Sequence, residues 1–276
     1  MRDFQHRWHT AREHKNSTLV AGLDPAPYAL GLDEQGLPQD IDSADALRMW
    51  SLAYVDAVAP YVVALKYNAA FFQAPDAALV LPEIIAHARS LDLLIIADAK
   101  ISDIGSTNNA WCYGHKMLGA DAITIAPYAG NCVESVHDAH TLGLAAIAVT
   151  LMSNPEYQRE MYFVHPETNE PLYRHRLTDA IEADTEAIVV GATYEPNDPV
   201  LADVTSLTNT TDTLYLIPGI GAQGGSIARV FETGLDPTRC MLSASRSLMF
   251  PKGPNSTAED QRNAALALQA QLHEHL

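Results

Sequence analysis

The chain has 276 residues, 47% of them hydrophobic and 18% charged, and its 34 acidic against 17 basic side chains give a formal net charge of −17 at pH 7. Such a chain can bury one large core, but its acidity disfavours nucleic acid and anionic membrane as partners, and neither is expected, because both select for a basic face. No run of eighteen apolar residues and no cationic, apolar leader occurs, which excludes a spanning helix and predicts a cytoplasmic address.

In chain order, residues 1–17 are polar, carry Arg2, Arg7, Arg12 and Lys15 beside Asp3 and Glu13, and are expected to form an N-terminal helix. Apolar runs then alternate with stretches of helical period. The runs are Thr18-Leu-Val-Ala-Gly-Leu-Asp24, Val62-Val-Ala-Leu-Lys66-Tyr-Asn68, Leu93-Leu-Ile-Ile-Ala-Asp98, Ala122-Ile-Thr-Ile-Ala-Pro127, residues 144–153, residues 187–193, Leu214-Tyr-Leu-Ile-Pro-Gly219 and residues 240–246. Helical spacing marks residues 44–58, 77–91, 108–118, 132–142, 178–184, 198–207 and 225–233. Continuously apolar runs suit strands of a parallel sheet covered on both faces. Eight of them alternating with helices predict an α/β fold, a single-domain (β/α)8 TIM barrel over residues 1–276, with the first helix closing its bottom. Residues 155–176 exceed an ordinary strand-to-helix loop. Glu167-Thr-Asn-Glu170 lies there between two aromatic segments, so an inserted loop or small hairpin is expected.

The polar strand ends matter because barrels carry their active sites on the C-terminal rim. The third run stops in Asp98-Ala-Lys100-Ile-Ser-Asp103, two carboxylates and an ammonium where no packed core calls for charge. Strand alternation would place Asp98 and Lys100 on one face, with Asp103 in the following loop. An ordinary ion pair at a strand end would read alike. The scarcity of lysine sharpens the choice: of Lys15, Lys66, Lys100, Lys116 and Lys252, two end adjacent strands.

Pro218-Gly-Ile-Gly-Ala-Gln-Gly-Gly225 follows the seventh run and Ser243-Ala-Ser-Arg-Ser247 the eighth, the corner where barrels frequently bind phosphate. Arg246 offers a forked cationic donor and Gln223 a neutral one. Cys112, Cys132 and Cys240 are odd in number and widely spaced, arguing against disulfides or zinc. His137 and His140 share a helical spacing that could hold zinc, but a solvated helix face is the commoner meaning of such a pair, so no metal is expected.

These motifs together resemble the orotidine 5′-phosphate decarboxylase family. The family's Asp-x-Lys-x-x-Asp-Ile-x-x-Thr run is met as Asp98-Ala-Lys100-Ile-Ser-Asp103-Ile-Gly-Ser-Thr107, and further similarities fall at Gly22-Leu-Asp24-Pro, Lys66, Ser153-Asn-Pro, the glycine-rich loop and Ser245-Arg246-Ser. They run in order from residue 18 to residue 250. Length and the Lys66-Tyr-Asn-Ala-Ala-Phe-Phe segment suggest the longer bacterial or archaeal subgroup, although Ile101-Ser102 stands where such members often carry Arg-Gly.

The resemblance implies decarboxylation of orotidine 5′-phosphate to UMP in pyrimidine biosynthesis without a cofactor, by a catalytic array of Lys66, Asp98, Lys100 and Asp103. Lys100 would protonate C6 and Asp98 would lie beside the departing carboxylate. Asp24 would contact the ribose, Ser153 would read the pyrimidine, and Gln223 and Arg246 would grip the phosphate. A homodimer is implied, with Asp103 and Thr107 reaching the neighbouring site. Two other readings stay open: a metal-dependent sugar-phosphate lyase of the same barrel family, of the 3-keto-gulonate-phosphate decarboxylase or hexulose-phosphate synthase type, and a barrel that binds nucleotide without catalysis. The lyases carry an acidic residue where Lys66 stands, which favours orotidylate.

Overall fold

The computed structural model describes residues 3–25, 43–152, 154–195, 198–220 and 227–275. Among them eight parallel strands, β1 (Leu19–Leu23), β2 (Ala64–Asn68), β3 (Leu94–Ile101), β4 (Ala122–Ile125), β5 (Ala145–Leu151), β6 (Ala187–Val190), β7 (Leu214–Pro218) and β8 (Cys240–Ala244), pair in sequence order. Pairing of β1 with β8 closes the barrel. Side-chain alternation explains why the runs are apolar throughout. Val20, Ala64, Ile96, Ala122, Ile147, Val189, Leu216 and Met241 form one buried cluster, and their strand neighbours Leu65, Ile95, Ile123, Ile188 and Leu242 belong to another, packed under the helices.

The covering helices are α1 (Asp3–Lys15), α2 (Ser43–Val58), α3 (Pro75–Ser90), α4 (Ser106–Met117), α5 (Cys132–Thr141), α6 (Pro155–Met161), α7 (Leu172–Glu182), α8 (Pro199–Thr208), α9 (Ile227–Glu232), α10 (Arg246–Met249) and α11 (Ala258–His273). Local chemistry sets several starts. Proline occupies the first turn of α3 and α8, the Asp198 carboxylate accepts the Val200 N–H, and Thr257 with Asp260 forms a capping box for α11.

One end of the barrel is plugged. Phe4 and Trp8 of α1 join the interior cluster, and Gln5 Nε2 donates to the carbonyls of Glu186 and Asp212 at 3.3 and 2.7 Å. Arg7 reaches Asp121 at 2.9 Å, and the same carboxylate takes Arg89 at 3.2 Å and the Ile95 N–H at 2.8 Å. Glu186 repeats the device two strands on, accepting the Ala146 N–H at 2.8 Å and facing His140 at 3.1 Å. Acidic side chains thus serve backbone donors at the N-terminal ends of β3 and β5, while the Asp121 carboxylate and the Glu186 and Asp212 carbonyls anchor α1 beneath them. The interior is left open at the C-terminal rim.

Three elements depart from the sequence reading. Residues 155–176 are not a simple hairpin: α6 fills Pro155–Met161, an isolated antiparallel bridge joins Val164 to Pro171, and α7 begins at Leu172, upstream of the expected residue 178. Proline at the first position of α6 suits that helix start, and Tyr173 and Leu177 supply α7 with a buried face. The terminal α11, unanticipated because its apolar stripe is thin, buries Gln261, Ala265 and Leu272. It packs against α2, and Gln261 Nε2 donates to the Met249 carbonyl at 2.9 Å.

Replacing Trp8, which is fully buried, with Ala should cost about 3–5 kcal/mol through lost burial and the cavity left behind. Urea unfolding checks this as a lower midpoint at unchanged slope. The turnover number of the folded protein should be unaltered, because the plug lies at the end of the barrel away from the rim.

Candidate active site

Lys66 lies in register between Gly22 of β1 and Ile96 of β3, with its side chain directed inward. Its Nζ donates to Asp98 Oδ2 at 2.7 Å and stands 4.0 Å from Asp24 Oδ1. Lys100 Nζ donates to the other carboxylate oxygen, Oδ1. One largely shielded carboxylate is therefore clamped between two ammonium groups from neighbouring strands. Side-chain exposures of 6% for Lys66, 11% for Asp98 and 44% for Lys100 separate their roles, since only Lys100 is openly presented to an incoming molecule.

Simple alternation does not bring Asp98 and Lys100 together. Between the register pairs Ala97 with Ile123 and Ile101 with Ile125, β3 advances four residues while β4 advances two. That bulge puts Lys100 at φ +47°, the left-handed region disfavoured for a side chain with a Cβ. The Lys100 N–H is taken by the Thr124 hydroxyl at 2.8 Å. The same hydroxyl lies 3.3 Å from Asp98 Oδ1.

Burial alone would raise the Asp98 carboxyl, but Lys66, then Lys100, with their hydrogen bonds, hold it well below the ordinary carboxylate range. Burial alone would likewise lower Lys66, and the charges of Asp98 and Asp24 more than reverse this, leaving it raised. Each partner keeps the other ionised in surroundings that favour neither charge.

Around the cluster lies a cavity of about 250 Å³. Asp24, Lys66, Asp98 and Lys100 make one wall, Val149, Val189 and Leu216 an apolar flank, and Gly219, Ser245 and Arg246 the opposite side. The last three arrive together because β7 and β8 are adjacent. Gly219 follows β7 at φ +104°, a turn suited to glycine. Gly22 is demanded by space: a Cβ there would fall 1.9 Å from Ser245 Oγ. Arg246, exposed at the start of α10, meets no carboxylate among the described residues and is available to an anion.

The structure thus unites Asp24, Lys66, Asp98, Lys100 and Arg246. Asp103 and Thr107 are exposed and do not line this cavity. Asp103 accepts the Ile104 N–H on its own carboxylate at 2.7 Å, and its carbonyl accepts from Asn131 at 3.0 Å. Within one chain the expected array is therefore a triad, because the β3–α4 segment turns Asp103 away from its own site. Ser153 and Gln223 lie outside the described residues. Sequence reasoning passed over Thr124, although a hydroxyl at an inward position of an otherwise apolar strand was a signal. The three cysteines are buried and free, and no group of three or more His, Cys, Asp or Glu among the described residues could hold a metal ion.

Residues 31–230 match the model of the Orotidine 5′-phosphate decarboxylase / HUMPS family. The orotidine 5′-phosphate decarboxylase of Bordetella petrii is 33% identical over 96% of this chain and 93% of its own length. That of Halorubrum lacusprofundi is 31% identical over 90% and 88%. Among solved structures, Leishmania donovani UMP synthase superposes with a TM-score of 0.79 at 26% identity, over 99% of this chain and 56% of that one.

Asp98→Leu strands the buried Lys66 ammonium and should cost about 3–5 kcal/mol, Lys66→Met leaves Asp98 its Lys100 partner and should cost less, and the double variant should recover most of the larger loss. A double-mutant cycle by urea unfolding measures the coupling. Asp98, depressed below its ordinary 3.8, contributes stability above that pH and loses it only as acid passes its folded value. Lys66, raised above 10.5, contributes below that pH and loses it only as alkali passes its folded value. The coupling should therefore stay flat between those limits.

Proposed function

Because this chain belongs to the orotidine 5′-phosphate decarboxylase family, we propose that the cavity on its C-terminal rim decarboxylates orotidine 5′-phosphate to UMP, a step of pyrimidine biosynthesis, with Lys100 as proton donor. The observation that carries this assignment is the Asp98 carboxylate held between two ammonium groups, one buried and one presented to the cavity.

In the reaction the bond between C6 and the carboxylate breaks, CO2 leaves, and the electron pair remains on C6. The Lys100 ammonium stabilises that charge and transfers its proton to C6, then regains one from solvent. Asp98, ionised over the working pH range, orients Lys100 and sets like charge beside the departing carboxylate. Lys66 keeps Asp98 ionised. The apolar flank of Val149, Val189 and Leu216 limits water around the developing charge, which strengthens these interactions. Arg246, with Gln223 as its expected neutral partner, takes the phosphate across the cavity. Asp24 is assigned to the ribose and Ser153 to the pyrimidine edge. The reading requires no cofactor and places the enzyme in the cytoplasm.

A homodimer completes the array. Asp103 and Thr107 are exposed on a segment that also exposes Ile104 and Trp111, and an apolar surface around two polar site residues suits burial against a second copy. Each site then takes Asp103 and Thr107 from its partner. A sugar-phosphate lyase would need a metal beside Asp98, and the Lys66 ammonium at 2.7 Å opposes a cation there. A non-catalytic binding barrel gains nothing from burying Lys66 against Asp98 and setting a second ammonium on the same carboxylate.

Following the absorbance change from orotidylate to UMP, with and without chelator, tests the activity. Turnover should be insensitive to chelator, and Lys100→Ala should abolish it while UMP still binds, since the lost ammonium acts chiefly on the transition state. Binding lost in parallel with rate, or turnover requiring a metal, would remove the assignment.

Mixing inactive Asp103→Ala with inactive Lys100→Ala tests the shared site. Random exchange makes about half the dimers heterodimers, each with one intact site, so roughly a quarter of wild-type activity should return. No recovery after demonstrated subunit exchange would assign Asp103 to its own chain.

A further inference from the structure

Thr124 is 1% exposed, in a strand that reads Ala122-Ile-Thr-Ile125, and it lines the cavity. A hydroxyl buried at an inward strand position must find hydrogen-bond partners or weaken the fold. Its three partners all belong to the segment that ends β3. Oγ1 accepts the Lys100 N–H at 2.8 Å, and it stands 3.3 Å from Asp98 Oδ1 and 3.5 Å from the Ala97 carbonyl. A hydroxyl has one proton to give, and the ionised carboxylate is the stronger acceptor.

From this geometry we infer that Thr124 is a positioning residue for Lys100: its hydroxyl takes the place of the backbone ladder interrupted by the bulge and holds Lys100 in its left-handed conformation against Asp98. Three facts converge on it. Lys100 has φ +47°, which a residue with a Cβ leaves readily unless something holds it. The register between β3 and β4 is interrupted from Ala97 to Ile101, so the ladder does not supply the restraint. The Lys100 side chain is 44% exposed, so packing supplies little of it.

The result is a closed circuit. Asp98 Oδ1 receives the Lys100 ammonium and the Thr124 hydroxyl, and that hydroxyl receives the Lys100 backbone N–H. The carboxylate, the main chain and the ammonium are thereby set as one unit. Loss of the hydroxyl lets the bulge relax and the ammonium drift, and a displacement of about 1 Å at a reacting group lowers rate by up to about 100-fold. The phosphate side of the cavity, built from β7 and β8, is left in place.

The inference deepens the proposed decarboxylation and rests on it. The test compares wild type, Thr124→Val and Thr124→Ser for kcat and KM on orotidine 5′-phosphate and for thermal shift with UMP. Expected is a fall in kcat of about 10- to 100-fold for Thr124→Val, with KM and the UMP shift nearly unchanged and kcat restored in Thr124→Ser. A threonine that merely fills the core would lower thermal stability without splitting kcat from KM, and serine, which leaves a methyl-sized void, would not repair it. If Thr124→Val fails to fold, Thr124→Ala is read the same way, and Thr124→Ser must keep its kcat in any case. Wild-type kcat in the valine variant, or a serine variant as slow as valine, overturns the inference alone. A wild type inactive on orotidylate overturns the proposed function as well.

Discussion

The arrangement of the rim depends on keeping one carboxylate ionised where water is scarce. Asp98 is 11% exposed at the mouth of an apolar barrel, and burial by itself would favour its neutral form. Lys66, from the adjacent strand, supplies compensation at 2.7 Å, and the register between β2 and β3 makes that contact possible. Lys100 supplies more, but only because β3 bulges and returns its ammonium to the same side chain. The strand order, the bulge and the left-handed lysine are thus parts of one electrostatic solution.

That solution divides labour between two chemically identical groups. Lys66 is buried and committed to Asp98, so its charge serves as a fixed part of the site. Lys100 shares the same carboxylate yet remains open to the cavity, which fits it to exchange a proton with a bound molecule. An apolar flank between the charged wall and Arg246 keeps the local dielectric low, so that small displacements of charge carry large energies. Such a site needs rigid support. The opposite end of the barrel provides some of it, where Trp8 fills the interior and Asp121 and Glu186 satisfy backbone donors while tying down α1.

The segment after β3 obeys a different constraint. Asp103 caps the Ile104 N–H rather than entering the cavity beside Lys100, and exposed apolar side chains surround it. The same carboxylate, brought from a second copy toward two lysines and the ribose of a ligand, would meet partners that its own chain does not offer it.

All eight strands were legible because each is buried on both faces and therefore reads as an apolar run. Asp24, Lys66, Asp98 and Lys100 were legible because charge at the end of such a run has no structural excuse, and Arg246 because it follows glycine-rich turns on adjacent strands. Helix α6, the early start of α7 and the terminal α11 were not legible, since their apolar stripes are short and their burial is decided by elements distant in sequence. The bulge at Lys100 and the role of the Thr124 hydroxyl were equally hidden. Sequence by itself determined the layered architecture and the chemical inventory of the rim, because both follow from local pattern and residue type. Only the tertiary structure decided which oxygen each lysine meets, which backbone angle Lys100 adopts and that Asp103 leaves its own site, because those are settled by register between strands and by partners that local pattern does not encode.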